Sequence, residues 1–156
     1  GTTVFPDPQP SHTTGHVDYP QSPPVGGPHS PVWLNCGVYT APVPDENAVH
    51  SLEHGVVWVT YDPSLTATGV NALRTAVQSE YSGTERLVIL SPYPGLRSPV
   101  VASAWGVQIR LDSPTDPRLR AFIEYFRDGP ETPEHGGRCT GGTGRPADPA
   151  GTPDAV

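Results

Sequence analysis

Residues 50–61 read HSLEHGVVWVTY, a polar helical turn followed directly by an apolar, β-branched run. His50, Glu53 and His54 are spaced three and four residues apart, so on a helix they share one face. Gly55 suits the left-handed conformation in which helices commonly end. The run after it has the residue types of a strand that is buried on both faces. This stretch therefore predicts a helix that carries three polar side chains to the start of a central strand.

The remaining chain adds further elements around this unit. Apolar spacing predicts helices over residues 68–81 and 117–127, and one strand each over residues 86–91 and 100–111. The sequence thus predicts an α+β fold, with a small sheet of about three to four strands covered by two to three helices. A long proline-rich N-terminal extended segment is expected to precede it.

Composition limits the classes of function. The 156 residues carry a formal net charge of −7, which argues against nucleic acid or an anionic membrane as the main partner. The two cysteines, Cys36 and Cys139, are too far apart for a CxxC motif. They predict one disulfide, which requires an oxidising compartment, and the alternative is two free thiols.

The histidines are the candidate metal ligands. A pair such as His50 and His54, four residues apart on a helix, is a common way to chelate a transition metal. A metal needs ligands from other segments as well. The rigid Pro-Pro and flexible Gly-Gly steps of residues 23–28 would deliver His29, and His12 is the fourth candidate. For Glu53 three roles are open, namely ligand, general base beside a metal-bound water, or a group that orients an imidazole from outside the ligands.

We expect the third of these roles for Glu53. His16 and His135 are expected to be solvent-exposed and outside the site. On this basis the chain is divided into a flexible N-terminal segment (1–11), a single metal-binding domain (12–139) and a disordered Gly/Pro-rich tail (140–156).

Several motifs together resemble the bacterial family known as domain of unknown function 3105. They are His12, the stretch PPVGGPH at 23–29, CGVY at 36–39, HSLEHG at 50–55, Ser91-Pro92, and Ala104-Trp105-Gly106. The resemblance covers about residues 10–140. It implies an extracytoplasmic protein, secreted or held at the cell surface by a membrane anchor upstream of residue 1. The positions that match its pattern include all four candidate ligands and Glu53.

Three or four imidazoles without methionine, in an oxidising compartment, suit Cu(II) or Zn(II), and the affinity order favours copper. The expected function is therefore copper binding, for sequestration, delivery or oxidative chemistry. The alternative is a zinc-dependent hydrolase, because His50, Glu53 and His54 also match H-x-x-E-H, with Glu53 as general base and Glu124 as a candidate third ligand. A further alternative is a structural domain whose histidines are hydrogen-bonded core residues.

Overall fold

The computed structural model describes residues 1–6 and 8–149. Within these residues, three α-helices and eight β-strands occur. In chain order they are β1 (Thr3–Val4), β2 (Ser11–His12), β3 (Pro28–His29), β4 (Gly37–Val38), α1 (Asp45–Glu53), β5 (Val57–Tyr61), α2 (Ala67–Ser79), β6 (Val88–Pro92), β7 (Val100–Ala104), β8 (Val107–Leu111) and α3 (Arg118–Phe126). The predicted α+β class is confirmed.

Six strands form one mixed sheet in the order β1-β8-β7-β5-β6-β4, and β2 and β3 form a separate parallel pair. β5 lies inside the sheet, parallel to β6 and antiparallel to β7. All five of its residues are buried. The apolar run after Gly55 is thus the interior strand that its composition predicts.

The sheet is larger than the expected three to four strands. Residues 100–111 do not form one strand; they fold into the antiparallel hairpin β7–β8, in which Ala104 pairs with Val107. The chain turns at Trp105 and Gly106, where Gly106 has a φ of 73°. The prediction of a single strand is wrong because both arms of the hairpin are apolar and only one glycine marks the turn. The two-residue strands β1 and β4 complete the edges.

Side chains that alternate along β5 divide the core into two clusters. Val57 and Val59 pack with residues of α2 and α3, whereas Trp58 packs in a second cluster with Val49 and Leu52 of α1. Because successive residues of a strand point to opposite faces, the two clusters lie on opposite sides of the sheet. The helix that carries the HSLEHG motif therefore covers the face opposite to α2 and α3.

Both ends of the described chain make contacts with the sheet. At the N-terminus, β1 pairs with β8. Near the other end, Asp148 accepts from the amide of Val38 in β4 at 2.7 Å, and the amide of Ala147 donates to the carbonyl of Val38. The expected tail also includes residues 150–156, which lie outside the described residues. The boundaries at residues 11/12 and 139/140 stay a prediction.

None of the helices in the described part of the chain has the length and apolar character needed to span a membrane.

Candidate metal centre

The last turn of α1 carries three polar side chains into the interior. His50, Glu53 and His54 have only 4%, 6% and 6% of their surface exposed. Residues of these types are seldom so buried unless they have partners. The helix ends where the sequence predicts: His54 is the C-cap residue, and Gly55 follows in the left-handed conformation with a φ of 96°.

The short parallel pair β2–β3 brings two further histidines to this turn. His12 and His29 are direct partners in its register. The His29 side chain is fully buried and His12 is exposed. The ring centroid of His50 lies 5.2 Å from that of His12 and 4.9 Å from that of His29. Three segments that are distant in sequence therefore meet at one place.

Main-chain carbonyls orient two of these rings. Nδ1 of His29 lies 2.9 Å from the oxygen of Gly27, and Nδ1 of His50 lies 2.7 Å from the oxygen of Ser30. Because a carbonyl oxygen only accepts, each Nδ1 carries a proton, and Nε2 of a neutral ring then holds a lone pair. Metal-binding histidines are usually oriented in this way.

His54 is oriented in the same way by a distant segment. Its Nδ1 donates to the carbonyl oxygen of Arg138 over 2.6 Å. The next residue, Cys139, forms a disulfide with Cys36, so the predicted disulfide is confirmed. Both cysteines are buried. The covalent bond thus fixes the segment that holds the His54 ring in place.

The Nε2 atoms, which carry no proton when the rings are neutral, face other acceptor atoms. Nε2 of His29 lies 2.9 Å from Oε2 of Glu53, and neither atom has a hydrogen-bond partner among residues 1–6 and 8–149. Nε2 of His50 lies 3.1 Å from Nε2 of His54. Two acceptors this close repel each other unless a proton or a cation lies between them. The buried end of the cluster is therefore built to take up positive charge.

Potential ligand atoms fall into two groups, within each of which all atoms lie within 4.8 Å of one another. The first group contains His12, His29, His50 and Glu53. The second contains Glu53, His54 and Glu134. Either group could hold a metal ion. Three of the four predicted imidazoles thus come together with Glu53, while His54 joins the second group. Glu53 belongs to both groups of potential ligand atoms, and its expected role outside the ligands stays a prediction.

Burial keeps one of the histidines neutral. The pKa of His50 is lowered from 6.5 to about 4, chiefly by removal of the ring from water and further by the neighbouring rings of His54, His29 and His12. The hydrogen bond to Ser30 acts in the opposite direction. At neutral pH the ring therefore presents a lone pair, which is the form that binds a metal.

Two tryptophans form apolar walls of the cluster. The ring of Trp33 lies 5.7 Å from that of His50 and 5.4 Å from that of His54. Trp105, at the turn of the β7–β8 hairpin, meets His29 edge-on with centroids 6.1 Å apart. Such walls limit the access of water and so strengthen the electrostatic interactions inside.

Other candidates lie away from the cluster. His16 is exposed and bonds Asp18 and Glu46, and His135 is exposed and bonds Asp128. Glu124 lies in α3, on the face of the sheet opposite to α1, where it pairs with Arg120, and it belongs to neither group of potential ligands.

Glu134 is the candidate ligand that the sequence does not reveal. Its amide donates to the carbonyl of Glu53 over 3.0 Å, and its Oε2 lies 3.3 Å from Nε2 of His54. It stands in a Gly- and Pro-rich stretch with no periodicity, beside His135, whose side chain bonds Asp128 instead. Its place depends on the path of the chain after α3, for which no sequence signal exists.

The chain matches a known protein family. Residues 11–141 match the family described as Protein of unknown function (DUF3105). The chain belongs to this family. The resemblance seen in the sequence is thereby confirmed, and the matched range includes both groups of potential ligands. No curated protein and no solved structure matches the chain.

Proposed function

We propose that this family member binds one copper ion outside the cytoplasm through the histidine cluster of His12, His29, His50 and His54. The observation that carries the proposal is the meeting of His29 Nε2 and Glu53 Oε2 at 2.9 Å, both buried and without a hydrogen-bond partner in the described chain. A buried polar atom without a partner is costly, and a bound cation would remove that cost.

The distance within each of two facing pairs of atoms fits an ion that both atoms of the pair bind. Two ligands that are bonded to one metal at about 2.0 Å, and about 90–110° apart, are separated by about 2.8–3.3 Å. The pair of His29 and Glu53 stands at 2.9 Å, and the pair of His50 and His54 at 3.1 Å. The orientation of three rings by main-chain carbonyls supports the same interpretation, because little reorganisation is needed on binding.

The donor set favours copper over other metals. Imidazole nitrogens predominate, both cysteines are in the disulfide, and the chain has no methionine to serve a Cu(I) carrier. Nitrogen-rich sites suit Cu(II) and Zn(II), and the affinity order places copper above zinc. We therefore propose Cu(II), with zinc as the alternative ion. Sequestration, delivery and oxidative chemistry are all consistent with such a site.

The disulfide supports the proposed location. Disulfides persist in oxidising compartments and are rare in the cytosol. The bond between Cys36 and Cys139 is buried and links the segment after α3 to the start of β4. An extracytoplasmic location, with a signal or membrane anchor upstream of residue 1, remains part of the proposal.

The test is elemental analysis of untagged protein, together with electron paramagnetic resonance of a Cu(II)-loaded sample. We expect stoichiometric binding and nitrogen hyperfine structure from several imidazoles, which His50→Ala should reduce. His16→Ala is the matched control, since His16 is an exposed histidine outside the cluster. Absence of stoichiometric metal from wild-type protein, or equal spectra for both variants, would refute the proposal.

A zinc-dependent hydrolase is the second candidate. In this arrangement His50 and His54 would hold zinc, the zinc would supply a bound water, and Glu53 would be the general base, as in H-x-x-E-H enzymes. Glu124 is not available as third ligand, but Oε2 of Glu134 lies 3.3 Å from Nε2 of His54, which favours Glu134 in that place. This candidate predicts that zinc alone co-purifies and that Glu53→Gln abolishes a hydrolytic activity of the zinc-loaded protein while zinc stays bound.

A further inference from the structure

Contacts with the main chain hold the residues of the second group in place. The amide of Glu134 donates to the carbonyl of Glu53, which ties the segment after α3 to the end of α1. The ring of His54 is held from its other side by the carbonyl of Arg138. Gly137 lies against that ring, and a Cβ there would come within 2.4 Å of its Cγ. The position of His54 is thus determined by packing as well as by hydrogen bonding.

The free nitrogen of His54 has acceptors on two sides. Its Nε2 is 3.1 Å from Nε2 of His50 and 3.3 Å from Oε2 of Glu134. Since Nδ1 of His50 and Nδ1 of His54 both donate to carbonyls, neither Nε2 carries a proton when the rings are neutral. A cation held only between His50 and His54 would not use the carboxylate of Glu134, which lies beside the same nitrogen.

Glu53 is common to both groups. Its Oε2 is buried and has no hydrogen-bond partner in the part of the chain that the structure describes. The Glu53 side chain is only 7% exposed. A carboxylate has two oxygens and can serve two cations at once. Glu53 is therefore placed between a nitrogen-rich group and an oxygen-rich group.

We infer that Glu53, His54 and Glu134 form a second divalent-cation position beside the first, and that the Glu53 carboxylate is shared by the two. His12, His29 and His50 then hold the first ion with Glu53. This inference rests on the proposed function, since a second position has no purpose without the first. The inference assigns His54 to the second ion, and no longer to the copper ion of the proposed function.

The two positions differ in chemistry. The second has one imidazole and two carboxylates, which is a harder donor set than three imidazoles and one carboxylate, and it suits a Zn(II)-like ion. Its outer ligand, Glu134, has 57% of its side chain exposed. Three protein ligands with one side open to water are typical of metal sites that bind a further ligand. The first position is deeper, because His29 is fully buried.

The experiment is a metal titration of chelator-treated protein with Cu(II) and with Zn(II), followed by desalting and elemental analysis. Wild-type protein is expected to retain two equivalents of divalent metal. Glu134→Gln and His54→Ala should each retain one, with the affinity for the second ion lowered about tenfold or more. Glu131→Gln is the matched control, since it changes an exposed glutamate on the same segment and should retain two.

Spectroscopy gives a second measurement. Two Cu(II) ions that share a carboxylate are magnetically coupled, so wild-type protein loaded with two equivalents of Cu(II) should show a weakened or broadened paramagnetic signal, whereas one equivalent keeps the resolved nitrogen hyperfine structure. Glu134→Gln should restore the signal of one isolated Cu(II). If wild-type protein retains only one equivalent of metal, and His54→Ala abolishes that binding, the inference is refuted and the copper proposal stands. Failure of wild-type protein to bind any metal would instead refute the proposed function.

Discussion

Replacing Glu53 by glutamine is expected to stabilise the metal-free protein while it weakens metal binding. Oε2 of Glu53 and Nε2 of His29 are buried acceptors 2.9 Å apart, and Nδ1 of His29 is already engaged with Gly27. A glutamine amide at this place can donate to Nε2. An unsatisfied buried group costs about 1–3 kcal/mol, so the free energy of unfolding should rise by about that amount. For a chain of this size, that corresponds to about 2–12 °C in Tm.

The assay is urea unfolding at neutral pH, first with a chelator and then with excess Cu(II). Metal at a hundred times its Kd stabilises a folded protein by about 2.7 kcal/mol, and Glu53→Gln should gain clearly less than wild type. Glu85→Gln is the control, because the Glu85 carboxylate already accepts from the Cys139 amide and the Thr140 hydroxyl. We expect that variant to lose about 0.5–1.5 kcal/mol.

One result would refute the reasoning. If metal-free Glu53→Gln is less stable than wild type, the His29 ring carries a second proton and forms an ion pair with Glu53. The two side chains would then be a structural pair that needs no metal.

Three further predictions concern pH, the disulfide and the packing of the site. Burial lowers the pKa of His50 from 6.5 to about 4. Between these two pH values the His50 ring is protonated in the unfolded chain but not in the folded metal-free protein. The free energy of unfolding should be unaffected by this group above pH 6.5 and fall between pH 6.5 and 4, as measured by urea unfolding at stepped pH. Cys139→Ser should cost about 2–5 kcal/mol of stability. It should also weaken metal binding in titrations, because the segment that orients His54 is no longer tethered; unchanged affinity would contradict this. Gly137→Ala should displace the His54 ring, since the new Cβ would lie 2.4 Å from Cγ. A metal titration should then give a metal affinity lowered by at least about tenfold.

The parts of the fold with strong local patterns could be predicted. The helices α2 (Ala67–Ser79) and α3 (Arg118–Phe126) lie close to their predicted ranges, and β5 is the buried interior strand. The hairpin at Gly106 could not be predicted, because the apolar character continues through both arms. The edge strands β1 and β4 are two residues long and depend on pairing partners elsewhere in the chain, which local propensity does not reveal.

The candidate site divides in a similar way. The common face of His50, Glu53 and His54 follows from helical spacing and could be predicted. The approach of His29 follows in part from the rigid and flexible steps before it. The pairing of His12 with His29 depends on contact between two strands of two residues each. The approach of Glu134 depends on the return of the chain after α3 to α1. Both are long-range contacts, which no local pattern encodes.

The gradient of exposure across the cluster has a consequence for exchange kinetics. His29 is at the bottom of the cluster, whereas His12 and Glu134 stand at its solvent edge. A competing chelator can therefore replace an outer ligand first and draw the ion out stepwise, without unfolding of the core. We expect the rate of metal loss to increase with chelator concentration, as in a handover between two carriers, and not to level off at the rate of spontaneous protein opening.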